Sequence, residues 1–159
     1  ALVQDPREQR QPGRGLGHEP APTPMPWDGS ANGGFSAARP WLPLNADWPL
    51  RNVARMAEEP HSILTLYRRL LALRRTYPAL SIGSFALLDA GGDILAYERR
   101  HGAERLIVAL NLGTRTQHMQ LPDWASDGRP LLSTLADAAQ PGHGALLLRG
   151  NEGVILTSD

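Results

Sequence analysis

Three tryptophans in the first third of the chain are the residues whose chemistry is most distinctive. Trp27, Trp41 and Trp48 lie in a segment rich in proline and glycine. Their flat aromatic faces are of the kind that stack on sugar rings. Large aromatic residues spaced along such a segment also anchor it to a core, so the spacing leaves stacking and anchoring both open.

The composition excludes several other chemistries. All 16 basic residues are arginine and cysteine is absent. This removes lysine-based phosphate loops, Schiff bases, thiol catalysis, disulfides and cysteine-rich zinc sites. The five histidines lack the close spacing of paired metal ligands, and neither Ser84 nor Ser133 lies in a Gly-x-Ser-x-Gly motif. We therefore expect no metal, no cofactor and no serine triad.

The charge balance is even, with 16 acidic and 16 basic residues. An even balance carries no electrostatic footprint for nucleic acid or for an anionic membrane. No apolar run approaches the roughly 20 residues that cross a bilayer. We expect neither partner, and the absence of cysteine is compatible with the cytoplasm. The chain starts with Ala1 instead of methionine, and we expect it to be a segment of a longer protein.

Residues 1 to about 50 are predicted to be loop, because their prolines fix extended backbone and remove amide donors. A disordered tail is one interpretation of this composition. An ordered loop packed on a partner surface is the other, and large apolar side chains favour it because disordered tails are poor in them. Those side chains are Met25, Trp27, Phe35, Trp41, Leu42, Leu44 and Trp48.

The segment from Pro60 to Tyr77 is predicted to be a helix. Apolar residues follow the helical i, i+3, i+4 spacing, and the stripe is broad: Ile63, Leu66, Tyr67, Leu70, Leu71 and Leu73. Pro60 suits the first turn, and Pro78 ends the helix. A helix with so wide an apolar face must be buried against something.

The remainder alternates with the shorter period of β-strands, separated by turns such as Asp89-Ala90-Gly91-Gly92. Seven strands are predicted: 82–88, 93–100, 105–111, 116–121, 131–134, 145–149 and 153–157. Such spacing is typical of an antiparallel sandwich. About 80 residues fold alone with a thin margin of stability, so we expect docking on a neighbour to help.

The first third of the chain contains a series of short motifs: Val3-Gln4-Asp5-Pro6, Pro12-Gly13, Gly15-Leu16-Gly17, Thr23-Pro24-Met25-Pro26-Trp27-Asp28, Asn32-Gly33-Gly34-Phe35-Ser36 and Pro40-Trp41-Leu42-Pro43. The helix and the strands contain a second series: Ser62-Ile63-Leu64, Leu70 to Arg75, Pro78-Ala79-Leu80, Ile94 to Arg99 and Leu106 to Leu112. Together they resemble the carboxy-terminal part of α-glucosidases of the oligo-1,6-glucosidase type, in the α-amylase family of glycoside hydrolases. The first series resembles the last loop region of the catalytic barrel, and the second resembles the closing helix and the strands that follow it.

The resemblance implies a domain organisation. Residues 1–78 resemble the last active-site loop and closing helix of a TIM (β/α)8 barrel. Residues 79–159 resemble the antiparallel all-β sandwich domain that follows the barrel in this family. The fold class that the resemblance implies is therefore mixed, a barrel fragment followed by a sandwich.

The resemblance also implies an activity for the whole enzyme. The family hydrolyses α-glucosidic bonds with retention, using two carboxylates about 5 Å apart. These acids lie at the ends of earlier barrel strands, and nothing in residues 1–159 matches their motifs. We expect this segment to line one wall of a sugar pocket and to be inactive alone. The implied substrate is an α-glucoside or a malto- or isomalto-oligosaccharide, bound through the rest of the barrel.

One loop departs from the family pattern close to the site. The family reads Gly-Arg-Asp-x-x-Arg before Thr-Pro-Met, and an arginine fork there clamps sugar hydroxyls. This chain reads Gly17-His18-Glu19-Pro20-Ala21-Pro22, so both arginines are missing, which counts against ordinary glucoside binding. His18 still supplies a donor and Glu19 keeps a carboxylate, so these two and Trp27 are the candidate substrate-binding residues. The alternative to a binding role for His18 and Glu19 is that the sequence here has drifted under weak constraint.

Two other functions remain open from the sequence. The chain fits a non-enzymatic β-sandwich module whose tryptophans hold a carbohydrate or a protein partner. It also fits a decayed gene remnant, since the missing arginines and the absent initiator methionine agree with one.

Overall fold

The structure is a computed structural model, and it describes residues 10, 23–135, 137, 141–142 and 144–158. The chain divides into two compact units, Ala1–Thr65 and Leu66–Asp159, called here the loop unit and the sheet unit. Within the described ranges, no helix is both long enough and apolar enough to cross a membrane.

The described residues of the loop unit from 23 onward form irregular backbone with short helical segments. A 3₁₀-helix spans Ala31–Gly34 and an α-helix spans Val53–Glu58. Buried Asn52 caps the α-helix, because its side chain accepts a hydrogen bond from the Arg55 amide at 3.0 Å and donates to the Trp48 carbonyl at 2.8 Å. The described part of this loop is thus tied together by hydrogen bonds, and its packing on a partner surface stays a prediction. The six-residue helix was not predicted, because it is too short to show a hydrophobic period.

The long helix spans Ile63–Thr76, inside the predicted range of 60–77. Its first turn is capped by Ser62, whose Oγ accepts a hydrogen bond from the Thr65 amide at 3.1 Å. Pro60 therefore precedes the helix, and its predicted place in the first turn is wrong. The helix ends before Pro78 as predicted.

The sheet unit contains, among the described residues, all seven predicted strands, each with boundaries within two residues of the prediction. They are β1 (Ser84–Leu88), β2 (Ile94–His101), β3 (Glu104–Asn111), β4 (Gln117–Gln120), β5 (Arg129–Ser133), β6 (Ala145–Leu148) and β7 (Gly153–Thr157). Five strands form an antiparallel sheet in the order β1-β2-β3-β7-β5, and β4 pairs with β6 in a second sheet. A 3₁₀-helix, Asp123–Ala125, lies between β4 and β5.

Successive side chains of β3 and β7 point to opposite faces of the larger sheet, and both of these faces are apolar. One face shares a buried cluster with the smaller sheet, and its members include Ile107, Ala109, Met119, Leu146, Leu148, Val154 and Leu156. The other face buries Leu106, Val108 and Ile155 against Ala79, with Leu73 and Tyr77 packed on them. The end of the long helix is thus part of the sheet unit's core.

The connection from the helix to β1 is held in place by two charged side chains. The Ala79 amide donates to Glu104 Oε1 at 2.6 Å, and Arg99 donates to the carbonyls of Ala79 and Gly83, both at 2.9 Å. Residues Ala79–Ile82 form a helical turn, where the prediction had started the first strand at Ile82. These bonds fix the end of the long helix on the larger sheet.

The long helix has an uncovered apolar flank. None of its residues is buried. Ile63 is 78% exposed, Tyr67 62%, Leu71 41% and Leu70 36%. The sequence predicted that this broad apolar face is buried against something, and the described residues do not cover it.

Candidate substrate-binding loop

The three candidate substrate-binding residues differ in what the structure says about them. His18 and Glu19 lie outside the described residues. Trp27 is described, and its side chain is 51% exposed. Its amide donates to the Gly33 carbonyl at 2.7 Å and its carbonyl accepts from the Ala54 amide at 2.9 Å. The backbone of Trp27 is therefore fixed from both sides while its indole remains accessible.

A tight turn follows Trp27. The Asp28 carboxylate accepts hydrogen bonds from the Ser30 hydroxyl at 2.5 Å and from the Ser30 amide at 2.8 Å. The hydroxyl bond, and then the amide bond, lower the pKa of Asp28 from its usual value. Trp48 Nε1 donates to the Ser30 carbonyl at 3.3 Å. Trp48 thus joins two parts of the loop, and its anchoring to a core stays a prediction.

Glycine is required where the turn reverses. Gly33 has φ +64°, and a Cβ added there would lie 2.6 Å from Leu44 Cδ2 and 3.2 Å from Pro26 Cα. That conformation is strained for other residues, and there is no room for a side chain. The turn therefore depends on glycine for both space and conformation.

Gly33→Ala is expected to cost about 3 kcal/mol in free energy of unfolding, from positive φ plus overpacking. Gly91→Ala is the matched control, because Gly91 has φ +66° and open space around its Cα. The control should cost only the conformational part, about 1 kcal/mol. Urea denaturation followed by tryptophan fluorescence measures both, and equal losses would show that the contact with Leu44 is unimportant.

A shallow pocket lies in the same loop unit. Two aromatic side chains line it, Trp41 at 72% exposed and Phe35 at 49%. Its volume is about 220 Å³, and the other lining residues are Thr23, Pro24, Pro40 and Leu42. Aromatic faces beside one hydroxyl suit the apolar face of a sugar ring. Trp41 was one of the tryptophans for which sugar stacking stayed open, whereas Phe35 was not predicted to stack on a sugar.

Several carboxylates of the sheet unit are engaged in structural contacts. Glu98 accepts from Arg105 Nε at 2.8 Å, and the Arg105 guanidinium lies 3.7 Å from the Trp124 ring centroid. Buried Glu152 accepts from Ser133 and Arg149. In the part of the chain that the structure describes, no group of three or more histidines and acids is placed to hold a metal ion.

Comparison with known proteins identifies the family. The model of the alpha amylase catalytic domain matches residues 3–83, just over half of the chain. An oligo-1,6-glucosidase of Parageobacillus thermoglucosidasius is 36% identical over 121 residues, which are 76% of this chain and 22% of that protein. A probable alpha-glucosidase of Rhizobium meliloti is 37% identical over 106 residues, 67% of this chain and 19% of that protein.

A solved structure shows the same likeness. The trehalulose synthase of Pseudomonas mesoacidophila MX-45 superposes with a TM-score of 0.74 at 32% identity, over 85% of this chain and 25% of that chain. The chain spans about a fifth of the length of the curated relatives it matches. Its antiparallel sheets fit the carboxy-terminal β-sandwich of an amylase-family enzyme. By sequence and by fold, the chain belongs to the alpha-amylase family of glycoside hydrolases.

Proposed function

We propose that the chain is the carboxy-terminal portion of an α-glucosidase-like enzyme. The whole enzyme hydrolyses α-glucosidic bonds with retention. Residues 1–78 supply its last active-site loop and the helix that closes its barrel, and residues 79–159 form its terminal sandwich. The names of the relatives, oligo-1,6-glucosidase and alpha-glucosidase, support this class of substrate.

The bare flank of the long helix is the observation that carries the proposal. Tyr67, at 62% exposed, and Ile63, at 78%, lie on it with Leu70 and Leu71. Contiguous apolar surface of this kind marks a site of contact with another protein surface. The adjoining side of the same helix packs on the larger sheet through Leu73 and Tyr77. A helix fixed in this way presents its free flank to the part of the barrel that this segment lacks.

The roles within the site divide between the segment and the rest of the enzyme. The rest of the barrel supplies the nucleophile and the general acid, since no motif for them occurs in this chain. This segment supplies one wall of the sugar pocket, where His18 and Glu19 meet the sugar hydroxyls and Trp27 offers its exposed face. The enzyme acts in the cytoplasm on an α-glucoside or a short malto- or isomalto-oligosaccharide.

Reconstitution tests this proposal. The shortened relative, defined here as the oligo-1,6-glucosidase of Parageobacillus thermoglucosidasius without the segment that this chain matches, is co-expressed with the chain. Each part alone is expected to leave a chromogenic α-glucoside uncleaved, and the co-purified pair should cleave it. Because both family arginines are missing near His18, the His18→Arg, Pro22→Arg double variant should raise that activity. Cleavage of the glucoside by the chain alone contradicts the proposal. So does failure to cleave it by the pair that the double variant forms with the shortened relative.

A second candidate function is a carbohydrate-binding module, and the pocket lined by Trp41 and Phe35 favours it. Calorimetry of the chain alone with maltose and with isomaltose separates the two functions. Binding with a change in tryptophan fluorescence that Trp41→Ala abolishes supports the module. If neither sugar gives a heat of binding, the module is ruled out and the role as a segment of the enzyme is retained.

A further inference from the structure

Arg74 lies within the bare apolar flank of the long helix. It follows Tyr67, Leu70 and Leu71 by seven, four and three residues, which are the helical spacings that place side chains on one flank. Its side chain is exposed. It lines a groove of about 510 Å³, whose other lining residues are Leu71, Arg75, Pro78, Ser81 and Ile82. A cation therefore lies beside the apolar side chains of the flank, in a groove that also holds the polar side chains of Arg75 and Ser81.

The guanidinium of Arg74 has no partner among the described side chains. Three other arginines form ion pairs there, with Asp47, Glu98 and Glu152. The backbone carbonyl of Arg74 accepts a hydrogen bond from Ser81 Oγ at 2.8 Å, but no described group accepts from its side chain. The charge is thus available to whatever covers the flank.

Covering this flank with protein removes water from the guanidinium. A buried charge without a partner is strongly unfavourable, and truncating one member of a buried pair is costly for the same reason. The planar fork of arginine matches a carboxylate, with which it forms two parallel hydrogen bonds. A surface that fits the flank must therefore combine apolar side chains with an acidic one.

We propose that the rest of the amylase-family domain covers this flank with an apolar surface, and that one of its carboxylates pairs with Arg74. This inference rests on the proposed function. The rest of the domain is the surface that covers the flank, because the chain spans about a fifth of the length of its relatives and most of the domain therefore lies outside it. The pairing fixes the register of the helix against its partner.

Arg69 provides a matched control on the same helix. It is also exposed and is without a partner among the described side chains. Five residues separate it from Arg74, which places it about 140° away around the helix axis. It therefore lies off the proposed contact.

Affinity for the shortened relative is the first test. Arg74→Met should weaken the binding of the chain to it by about 30-fold or more, because the partner carboxylate is left buried without its cation. Arg69→Met should change the affinity by less than about threefold. If Arg74→Met and Arg69→Met bind the shortened relative with equal affinity, the pairing is overturned and the proposed function is left intact. No binding by the unchanged chain overturns both.

Cross-linking is the second test, and it identifies a carboxylate directly. The chain contains no lysine, so Arg74→Lys introduces its first side-chain amine. Zero-length carbodiimide coupling joins an amine only to a carboxylate in contact with it. Mass spectrometry of the complex should find position 74 joined to an aspartate or glutamate of the shortened relative, and Arg69→Lys should give no such product. If the complex forms but position 74 gives no cross-linked product, or positions 74 and 69 give equal amounts, the pairing of Arg74 with a carboxylate is rejected.

Discussion

Glu152→Ala is expected to destabilise the sheet unit by about 3 kcal/mol, because a buried charged network loses its centre. Glu152 Oε1 accepts from Ser133 Oγ at 2.7 Å and Arg149 Nη2 at 2.8 Å, and Oε2 accepts from the Arg149 amide at 2.9 Å and Nε at 3.0 Å. The side chain of Glu152 is fully buried and that of Arg149 is 39% exposed. Removal of the Glu152 carboxylate leaves the buried Ser133 hydroxyl and the Arg149 amide without their hydrogen-bond acceptor. Urea denaturation measures the loss.

Glu98→Ala is the matched control, because Glu98 also loses an arginine partner but belongs to a pair at 14% and 27% exposure. Its cost is expected to be about 1 kcal/mol. Equal losses at the two positions would show that burial of Glu152 adds nothing to the stability of the sheet unit.

The same network sets a pH dependence. Burial raises the pKa of Glu152, but the hydrogen bonds from Arg149 and Ser133 outweigh it, so the pKa lies below the usual 4.5. A lowered folded-state pKa contributes stability that is present above pH 4.5 and is lost as the pH falls through the folded-state value. The unchanged chain should therefore lose more stability below pH 4.5 than Glu152→Ala does. Parallel pH profiles would contradict this assignment.

Tyr67→Asp is expected to weaken binding to the shortened relative by about 100-fold, because it places an unpaired charge in an apolar contact and removes a large buried side chain. In the chain alone the same change should cost less than about 1 kcal/mol, since Tyr67 is 62% exposed there. The contrast between the two measurements is the signature of a surface that is covered only in the whole enzyme. Calorimetric titration and thermal unfolding provide the two values.

Ala72→Asp is the matched control for that prediction. Ala72 is exposed on the same helix and lies five residues beyond Tyr67, about 140° around the axis. It should leave binding within about threefold of the unchanged chain. If both aspartates weaken binding equally, the effect is one of charge and not of the apolar flank.

The regular elements could be predicted because their periods are local. The stripe from Ile63 to Leu73 predicts a helix, and the shorter period of the later segments predicts the strands, among them β3 and β7, whose two faces are both buried in the structure. The turn at Ala79–Ile82 was missed, because bonds from Glu104 and Arg99 hold it. These partners lie 20 to 25 residues away, and no local pattern reports such contacts.

The site was harder to predict than the fold. Trp27 was chosen from a motif, and the structure shows how Gly33 and Ala54 fix its backbone. The pairing of Phe35 with Trp41 follows a chain reversal at two glycines of positive φ, and spacing alone does not reveal which side chains then meet. The hydrogen bond from Trp48 Nε1 to the Ser30 carbonyl likewise joins residues 18 positions apart, which no local pattern predicts.

The central claim is that the rest of an amylase-family domain covers the flank of the helix Ile63–Thr76. Acetylation of tyrosines by N-acetylimidazole, read by mass spectrometry, tests it directly, with partly buried Tyr77 and Tyr97 as internal references. In the chain alone Tyr67 should react fastest, as its exposure of 62% requires. With the shortened relative bound, Tyr67 should be protected while the two references keep their rates. A Tyr67 that reacts equally fast in the complex would contradict the account.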